Sequence, residues 1–243
     1  MNIVFTMAGK YSRFKLFGAQ VPKYLLPLGQ GTILSKIISE IEKFSNGNRL
    51  YFIANRNDQL FYPILKSILQ QYNIDEGQLI YVDDTSSQLE TAVQARELVC
   101  AQSMIDPICF ANIDTVVMNR LEFFESLCAA PAEAALLDTF HGRSTKYSYA
   151  RVGENASVLE VVDRNIVSEF ACSGLYGFGS FSTMLSMTQE LLQYDSGANF
   201  TRLYNMYIEK NQSVTHVAST LPNDTVVLGT PEEYVINIHR FSQ

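Results

Sequence analysis

Asn2-Ile3-Val4-Phe5-Thr6-Met7, continuing into Ala8-Gly9-Lys10-Tyr11-Ser12-Arg13-Phe14, is the stretch that decides the fold. Its first six residues are mostly apolar and contain no turn former, which predicts a buried strand. Ala8-Gly9 ends the run, and small residues directly after a strand let backbone N–H groups approach a ligand closely. A basic loop over residues 8–23 follows and leads into Val21-Pro22-Lys23-Tyr24-Leu25-Leu26-Pro27-Leu28-Gly29. Arg13 has the planar fork that grips phosphate oxygens in pairs, whereas Lys23 offers a mobile point charge. Two common phosphate loops are excluded. Gly9-Lys10 lacks the earlier glycine of a Walker loop, and Gly29-Gln30-Gly31 lacks the third glycine of a dinucleotide fingerprint.

Outward from this stretch, short apolar runs alternate with amphipathic ones. Residues 32–44 have helical apolar spacing with Thr32 as N-cap, and Asn46-Gly47-Asn48 closes that unit. A strand is predicted over 50–54 and a helix over 57–72, with Pro63 tolerable only in its first turn. Leu79–Val82 reads as a strand, 89–100 as a helix and 108–111 as a strand. Such alternation predicts βαβ units and a mainly parallel sheet, whose ligands bind beyond the C-terminal strand ends. Residues 8–23 and 112–116 both leave such ends. Further strands are expected at 134–137, 147–152, 158–162 and 173–178, several of them antiparallel. Helices near 181–194 and 199–210, a strand near 214–218 and a helix from 231 to 240 complete the chain. Without repeat, linker or low-complexity tract, residues 1–243 read as a single domain.

With 47% apolar and 18% charged residues, the 243-residue chain has the composition of a folded globular protein. A net charge of −7 opposes nucleic acid and anionic membrane as partners. The acidic balance is uneven. No Asp or Glu precedes Glu40, while Lys10, Arg13, Lys15, Lys23 and Lys36 all fall in that stretch, as expected either of a small-anion site or of a solvated loop. Cys100, Cys109, Cys128 and Cys172 show no zinc spacing, and three of them sit in apolar or helical runs where a buried free thiol is expected. Unpaired thiols favour a reducing compartment, and the N-terminus does not read as a signal peptide, so the expectation is cytoplasmic. His141, His216 and His239 are isolated and read as structural or surface residues.

The two opening stretches resemble the signature of the sugar nucleotidyltransferase (nucleotide-sugar pyrophosphorylase) family. Its usual form is a strand, then A-G-G-x-G-(S/T)-R, then P-K-x-L-x-P. Ala8, Gly9, Ser12, Arg13, Pro22, Lys23 and Pro27 match in order, and Lys10 and Tyr11 stand where it has glycine, a variable residue and glycine. Ser87-Gln88-Leu89-Glu90-Thr91-Ala92 is similar to the segment packed near the nucleotide base, where Gln88 either reads a base edge or opens a helix. Phe110-Ala111-Asn112-Ile113-Asp114 resembles the strand whose aspartate holds Mg²⁺; from its position alone Asp114 would equally be a cap. Asp163-Arg164 stands where the family has Glu-Lys, with a surface ion pair as the competing reading, and Ser173-Gly174-Leu175-Tyr176-Gly177-Phe178 resembles the strand that follows. Val227-Leu228-Gly229-Thr230-Pro231-Glu232-Glu233-Tyr234 is similar to a segment that usually begins with a metal-binding aspartate, yet Val227 cannot bind metal. Asp224 is the substitute; otherwise Asp114 holds the ion with water and phosphate oxygens, or activity is weak or absent.

The resemblance implies a Rossmann-like α/β/α sandwich with a mixed, mainly parallel sheet. It also implies a Mg²⁺-dependent nucleotidyltransferase that joins a nucleoside triphosphate to a phosphorylated acceptor of the sugar 1-phosphate class, in nucleotide-sugar supply for surface polysaccharide. In that scheme Arg13 meets the triphosphate, Lys23 the α-phosphate region, Asp114 the metal and Arg164 the acceptor phosphate. Ala8, Gly9, Lys10 and Gln88 line the nucleotide site, and Asp163 and Gly174 join Arg164 at the acceptor. Base, acceptor and oligomeric state stay open, a homo-oligomer included. The rival expectation is a degenerate nucleotide or nucleotide-sugar binding module, favoured by Val227, Lys10 and Tyr11. A glycosyl transferase would need a D-x-D pair, which is missing near Asp114.

Overall fold

The structure is a computed structural model that describes residues 1–44, 47–219, 221 and 223–241. Its elements follow the chain as β1 (Asn2–Met7), α1 (Ser12–Leu16), β2 (Pro27–Leu28), β3 (Gly31–Thr32), α2 (Ile33–Glu42), β4 (Arg49–Asn55), α3 (Tyr62–Gln71) and β5 (Leu79–Val82). Next come α4 (Gln88–Val93), β6 (Ile108–Asn112), β7 (Thr115–Val117), α5 (Leu121–Cys128), β8 (Ala135–His141), β9 (Ser148–Val152), β10 (Val158–Asp163) and β11 (Phe170–Phe178). The last are α6 (Phe181–Tyr194), α7 (Phe200–Glu209), β12 (Val214–Ala218), β13 (Thr225–Val227) and α8 (Pro231–Asn237).

β1 is buried on both faces because a helical layer covers each side of the sheet. Ile3, Phe5 and Met7 point into one core, with Leu50, Phe52 and Ala54 of β4 and the apolar faces of α2, α3 and α5. Val4 points into the other, with Tyr51, Ile53, Phe110 and residues of α4, α6 and α7. Period-two alternation in a strand therefore distributes side chains between two cores, which gives the near-continuous apolar run read in the sequence. Strand order in the main sheet is β10-β9-β11-β6-β1-β4-β5, with β8 pairing β11 and β12. The pairs β6-β1, β1-β4 and β4-β5 are parallel, whereas β11 runs antiparallel to β6, β8 and β9. The mixed, mainly parallel α/β/α sandwich expected from the sequence is present.

Local chemistry sets the boundaries. Thr32 accepts from the Ser35 N–H, and the Ser35 hydroxyl accepts from the Thr32 N–H, a reciprocal cap that starts α2. Thr32→Ala removes about 1 kcal/mol of helix stability on this account. Pro63 lies in the first turn of α3, so that helix begins at Tyr62 rather than near residue 57; a 3₁₀ turn over Arg56–Phe61 precedes it. The helix expected over 89–100 stops at Val93 and tightens into a 3₁₀ turn over Gln94–Glu97. Similarly, α8 ends at Asn237 and a 3₁₀ turn continues to Phe241. Helices α1 and α5, and the β7–β13 ribbon, were not legible in the apolar pattern. Cys109 is buried, Cys172 half-buried, and Cys100 and Cys128 exposed, so burial, expected of three thiols, is complete for one. Asn46 of the expected turn lies outside the described residues.

Candidate active site

Three parallel-layer strand ends converge on one rim of the sheet. β1 releases Ala8, Gly9, Lys10 and Tyr11 there; β6 releases Ile113 and Asp114; and the segment after β5 supplies Thr85, Ser86, Ser87 and Gln88. Together with Lys23 and Tyr24 they enclose a cleft of about 570 Å³. An added Cβ at Gly9 would meet nothing within 4 Å, so this backbone is open to a ligand. Asn55 holds the loop in place from below, donating its amide to Ala8 O at 3.1 Å and to Asp84 Oδ1 at 2.9 Å. Across the mouth, Lys10 pairs with Asp84 at 3.0 Å, an exposed contact of little stabilising weight.

Lys23 Nζ donates to Asp114 Oδ2 at 2.7 Å, with the side chains only 19% and 23% exposed. Lys23 is presented by a 3₁₀ turn whose next residues, Tyr24 and Leu25, are buried. Asp114 is fixed from the other side, its carbonyl accepting from the Leu228 N–H at 2.7 Å. A second, smaller cleft of about 210 Å³ opens beside it. Arg13, Lys146, Tyr147, Ser148, Gly174, Thr230 and Glu233 line it, and Asn112 and Asp114 belong to both cavities. Gly174 adopts φ +96° and lies so close to Asn112 that a Cβ would stand 2.8 Å from the amide nitrogen. Only glycine accommodates both constraints without strain. Burial and the nearby Glu233 carboxylate hold the Tyr147 phenol well above its ordinary range, so it stays protonated and donates to Glu233 Oε1 at 3.3 Å.

Solved structures share this arrangement of chain. A nucleoside-diphosphate-sugar pyrophosphorylase from Vibrio cholerae RC9 superimposes with a TM-score of 0.80 at 22% identity, covering 98% of this chain and 99% of its own. A Bacillus anthracis protein provisionally assigned as a glucose-1-phosphate thymidylyltransferase, solved with sucrose, gives 0.82 at 15% identity, covering 100% and 95%. The fold is that of the sugar nucleotidyltransferases. An inositol-1-phosphate CTP transferase from T. maritima gives 0.74 at 12% identity, covering 99% and 95%. No protein-family model matches the sequence. No curated protein matches it either.

On this sugar-nucleotidyltransferase fold, the residues singled out in the sequence fall into three groups. Ala8, Gly9, Lys10, Lys23, Gln88 and Asp114 all line the larger cleft. Gln88 donates its amide to Asn112 Oδ1 and, at 3.4 Å, to Thr6 Oγ1, so its nitrogen is turned to the strand ends. Arg13 and Gly174 line the smaller cleft, with Arg13 away from the cavity where a triphosphate site was expected. Asp163 and Arg164 line neither cleft. Both are exposed; Asp163 accepts from Ser148 Oγ at 2.8 Å, and Arg164 stands 3.9 Å from Asp163. The surface ion pair is what this pair forms.

Asp224 requires a correction. Its carboxylate is buried and accepts from Arg120 Nη1 at 2.8 Å and from the Ser219 hydroxyl. Arg120 in turn donates to Asp138 Oδ2 at 2.8 Å, and burial pushes the Asp138 carboxyl up. Asp224 is thus consumed by a buried charge network and faces neither cavity. Among the described residues no group of three side chains is disposed to hold a metal. The Asp114 carboxylate beside the open cleft would suit a divalent cation whose octahedron phosphate oxygens and water complete, as Mg²⁺ permits. Lys146, Tyr147 and Glu233 were missed as cleft residues. The only signals were a loop cation before β9 and an acidic residue inside the matched terminal segment.

Proposed function

We propose that the chain, as a single domain over residues 1–243, is a nucleotidyltransferase that joins a nucleoside triphosphate to a phosphorylated acceptor and releases pyrophosphate. The observation that carries this reading is Asp114, facing Lys23 at the wall shared by two adjoining cavities. The larger has room for a nucleotide, and the smaller suits a phosphorylated small molecule. An acceptor phosphate oxygen then attacks the α-phosphorus in line with the departing pyrophosphate. A phosphate monoester is already nucleophilic, so the side chains align two anions and neutralise developing charge.

In this reading the backbone after β1 and Lys10 receive the triphosphate, and Lys23 stands at the α-phosphate. Arg13 and Lys146 take the acceptor phosphate, a role the resemblance had given to Arg164. Mg²⁺ held at Asp114 would supply charge neutralisation to the phosphate oxygens. A sugar 1-phosphate is the acceptor class put forward, in nucleotide-sugar supply for surface polysaccharide. The names of two of the solved structures support that class, and the third is named for inositol 1-phosphate, a phosphorylated cyclitol. The four free cysteines support a reducing, cytoplasmic location, and among the described residues no helix is long and apolar enough to cross a membrane.

A coupled pyrophosphate assay with Mg²⁺ over four nucleotides and a panel of phosphorylated acceptors tests the proposal, with release expected for at least one pair. A second reading has one observation behind it: Val227 lines the smaller cleft where a metal-binding carboxylate was expected, and Asp224 does not replace it. That reading is a non-catalytic module sensing nucleotides or nucleotide sugars. Tight nucleotide binding without pyrophosphate release across the whole panel would favour it.

A further inference from the structure

The resembled signature has a glycine-rich turn where this chain has Lys10 and Tyr11, and the structure gives that tyrosine a partner. Tyr11 lies in the left-handed region at φ 39°, directly before α1, and its hydroxyl donates to Asp58 Oδ1 at 2.8 Å. The other carboxylate oxygen of Asp58 accepts from the Tyr24 hydroxyl at 3.2 Å. Asp58 is 2% exposed and sits in the 3₁₀ turn after β4, on rigid scaffold below the cleft. Tyr24 is buried too, next to Lys23 in the chain, while Tyr11 adjoins Lys10. A carboxylate removed from water needs hydrogen bonds to remain there, and these two phenols come from opposite ends of the same cationic segment. Between them lie Arg13 and Lys15, the latter with its ammonium 4.5 Å from the centre of the Tyr11 ring.

We infer that Asp58 is a positioning residue: through Tyr11 and Tyr24 it fastens both ends of the segment bearing Lys10 and Lys23 in the geometry that receives a nucleoside triphosphate. A glycine-rich loop closes around phosphate by its own freedom, at an entropic penalty on binding. Here two tethers to one buried carboxylate set the loop beforehand. The inference rests on the larger cleft being the nucleotide site, as proposed above.

Tyr11→Phe keeps the ring and removes only the tether, so it leaves the core intact even if Asp58→Asn fails to fold. Two measurements follow. Backbone amides of residues 8–16 are expected to exchange with solvent at least tenfold faster in Tyr11→Phe than in the wild type, with no ligand present. The dissociation constant for the nucleoside triphosphate selected by the assay is expected to rise about tenfold, the scale of one hydrogen bond to a charged group. Adding Asp58→Asn to Tyr11→Phe should weaken nucleotide binding further, because the Tyr24 hydroxyl then loses its charged acceptor. Equal exchange rates overturn the tether whatever the nucleotide does. Faster exchange with nucleotide affinity held within twofold leaves a purely structural contact and overturns the positioning role. Failure of the wild-type protein to bind any nucleoside triphosphate overturns the proposed function, and the positioning role with it, while the exchange rates still decide the tether itself.

Discussion

Lys23 Nζ and Asp114 Oδ2 lie 2.7 Å apart, although 91 positions separate them in the chain. The bond is charge-assisted and largely shielded, and on the proposed function the ammonium would neutralise charge building on the phosphoryl group. Lys23→Ala is expected to lower turnover by roughly 10²–10³-fold, the scale of removing one transition-state donor. Single-turnover kinetics with saturating substrates check this, and unchanged turnover would remove Lys23 from the mechanism.

Acceptor recognition separates two cations. Lys146 lines the smaller cleft, where its ammonium reaches Thr230 Oγ1 at 3.4 Å, whereas Arg164 lies outside both cavities. Lys146→Ala should raise the acceptor KM by about tenfold with little change in turnover, as expected of uniform binding lost. Arg164→Ala should leave both constants within twofold. The reverse pattern would restore the role implied by the resemblance.

Arg120, Asp138 and Asp224 form a buried network in which each carboxylate depends on one guanidinium. Arg120→Ala strands two acids away from water and is expected to destabilise the fold by about 3–5 kcal/mol. Urea denaturation measures it. Asp224→Asn should also lower stability, yet leave the concentration of Mg²⁺ needed for half-maximal activity unchanged. A shift in that concentration would bring Asp224 back as a metal ligand.

His216 carries a pH dependence. Burial lowers its pKa below the ordinary imidazole value, its ring packs edge-on against Phe170 at 4.8 Å, and Nδ1 lies 3.2 Å from Thr139 Oγ1. The folded state therefore favours the neutral ring. Its contribution to stability is present above the ordinary value near 6.5 and is lost as pH falls through the lowered one. Denaturation midpoints at pH 7.5 and 5.5 should differ more for the wild type than for His216→Gln. Equal differences would show that this ring does not titrate on unfolding.

What the sequence revealed follows from the range of the forces involved. Buried parallel strands such as β1 and β6 announce themselves because both faces are apolar, and Thr32 marks its helix by a local hydrogen bond. Asp114 was placed at the cleft because it leaves the C-terminal end of an apolar run, and Lys23 because it closes the basic loop that leaves another; a parallel sheet brings both to one rim. Asp224 was misread because nothing local reveals Arg120, 104 positions away, as its partner. Arg164 was misplaced for a related reason: charge type was kept at the matched position, but the direction of the side chain depends on how β10 ends. Glu233 lay in plain view inside a matched segment, yet its part in the cleft depends on how α8 turns after Gly229.

The ribbon of β13 on β7 has a consequence for how the molecule comes into being. Val226 registers against Val116 and Val227 against Thr115, so a segment near the C-terminus forms one wall beside Asp114. A polypeptide interrupted after Asp224 would retain every strand of the parallel layer and still lack Val227, Gly229, Thr230 and Glu233 around the smaller chamber. In a chain made from its N-terminus, this wall of the smaller chamber is thus supplied after the strands of the parallel layer.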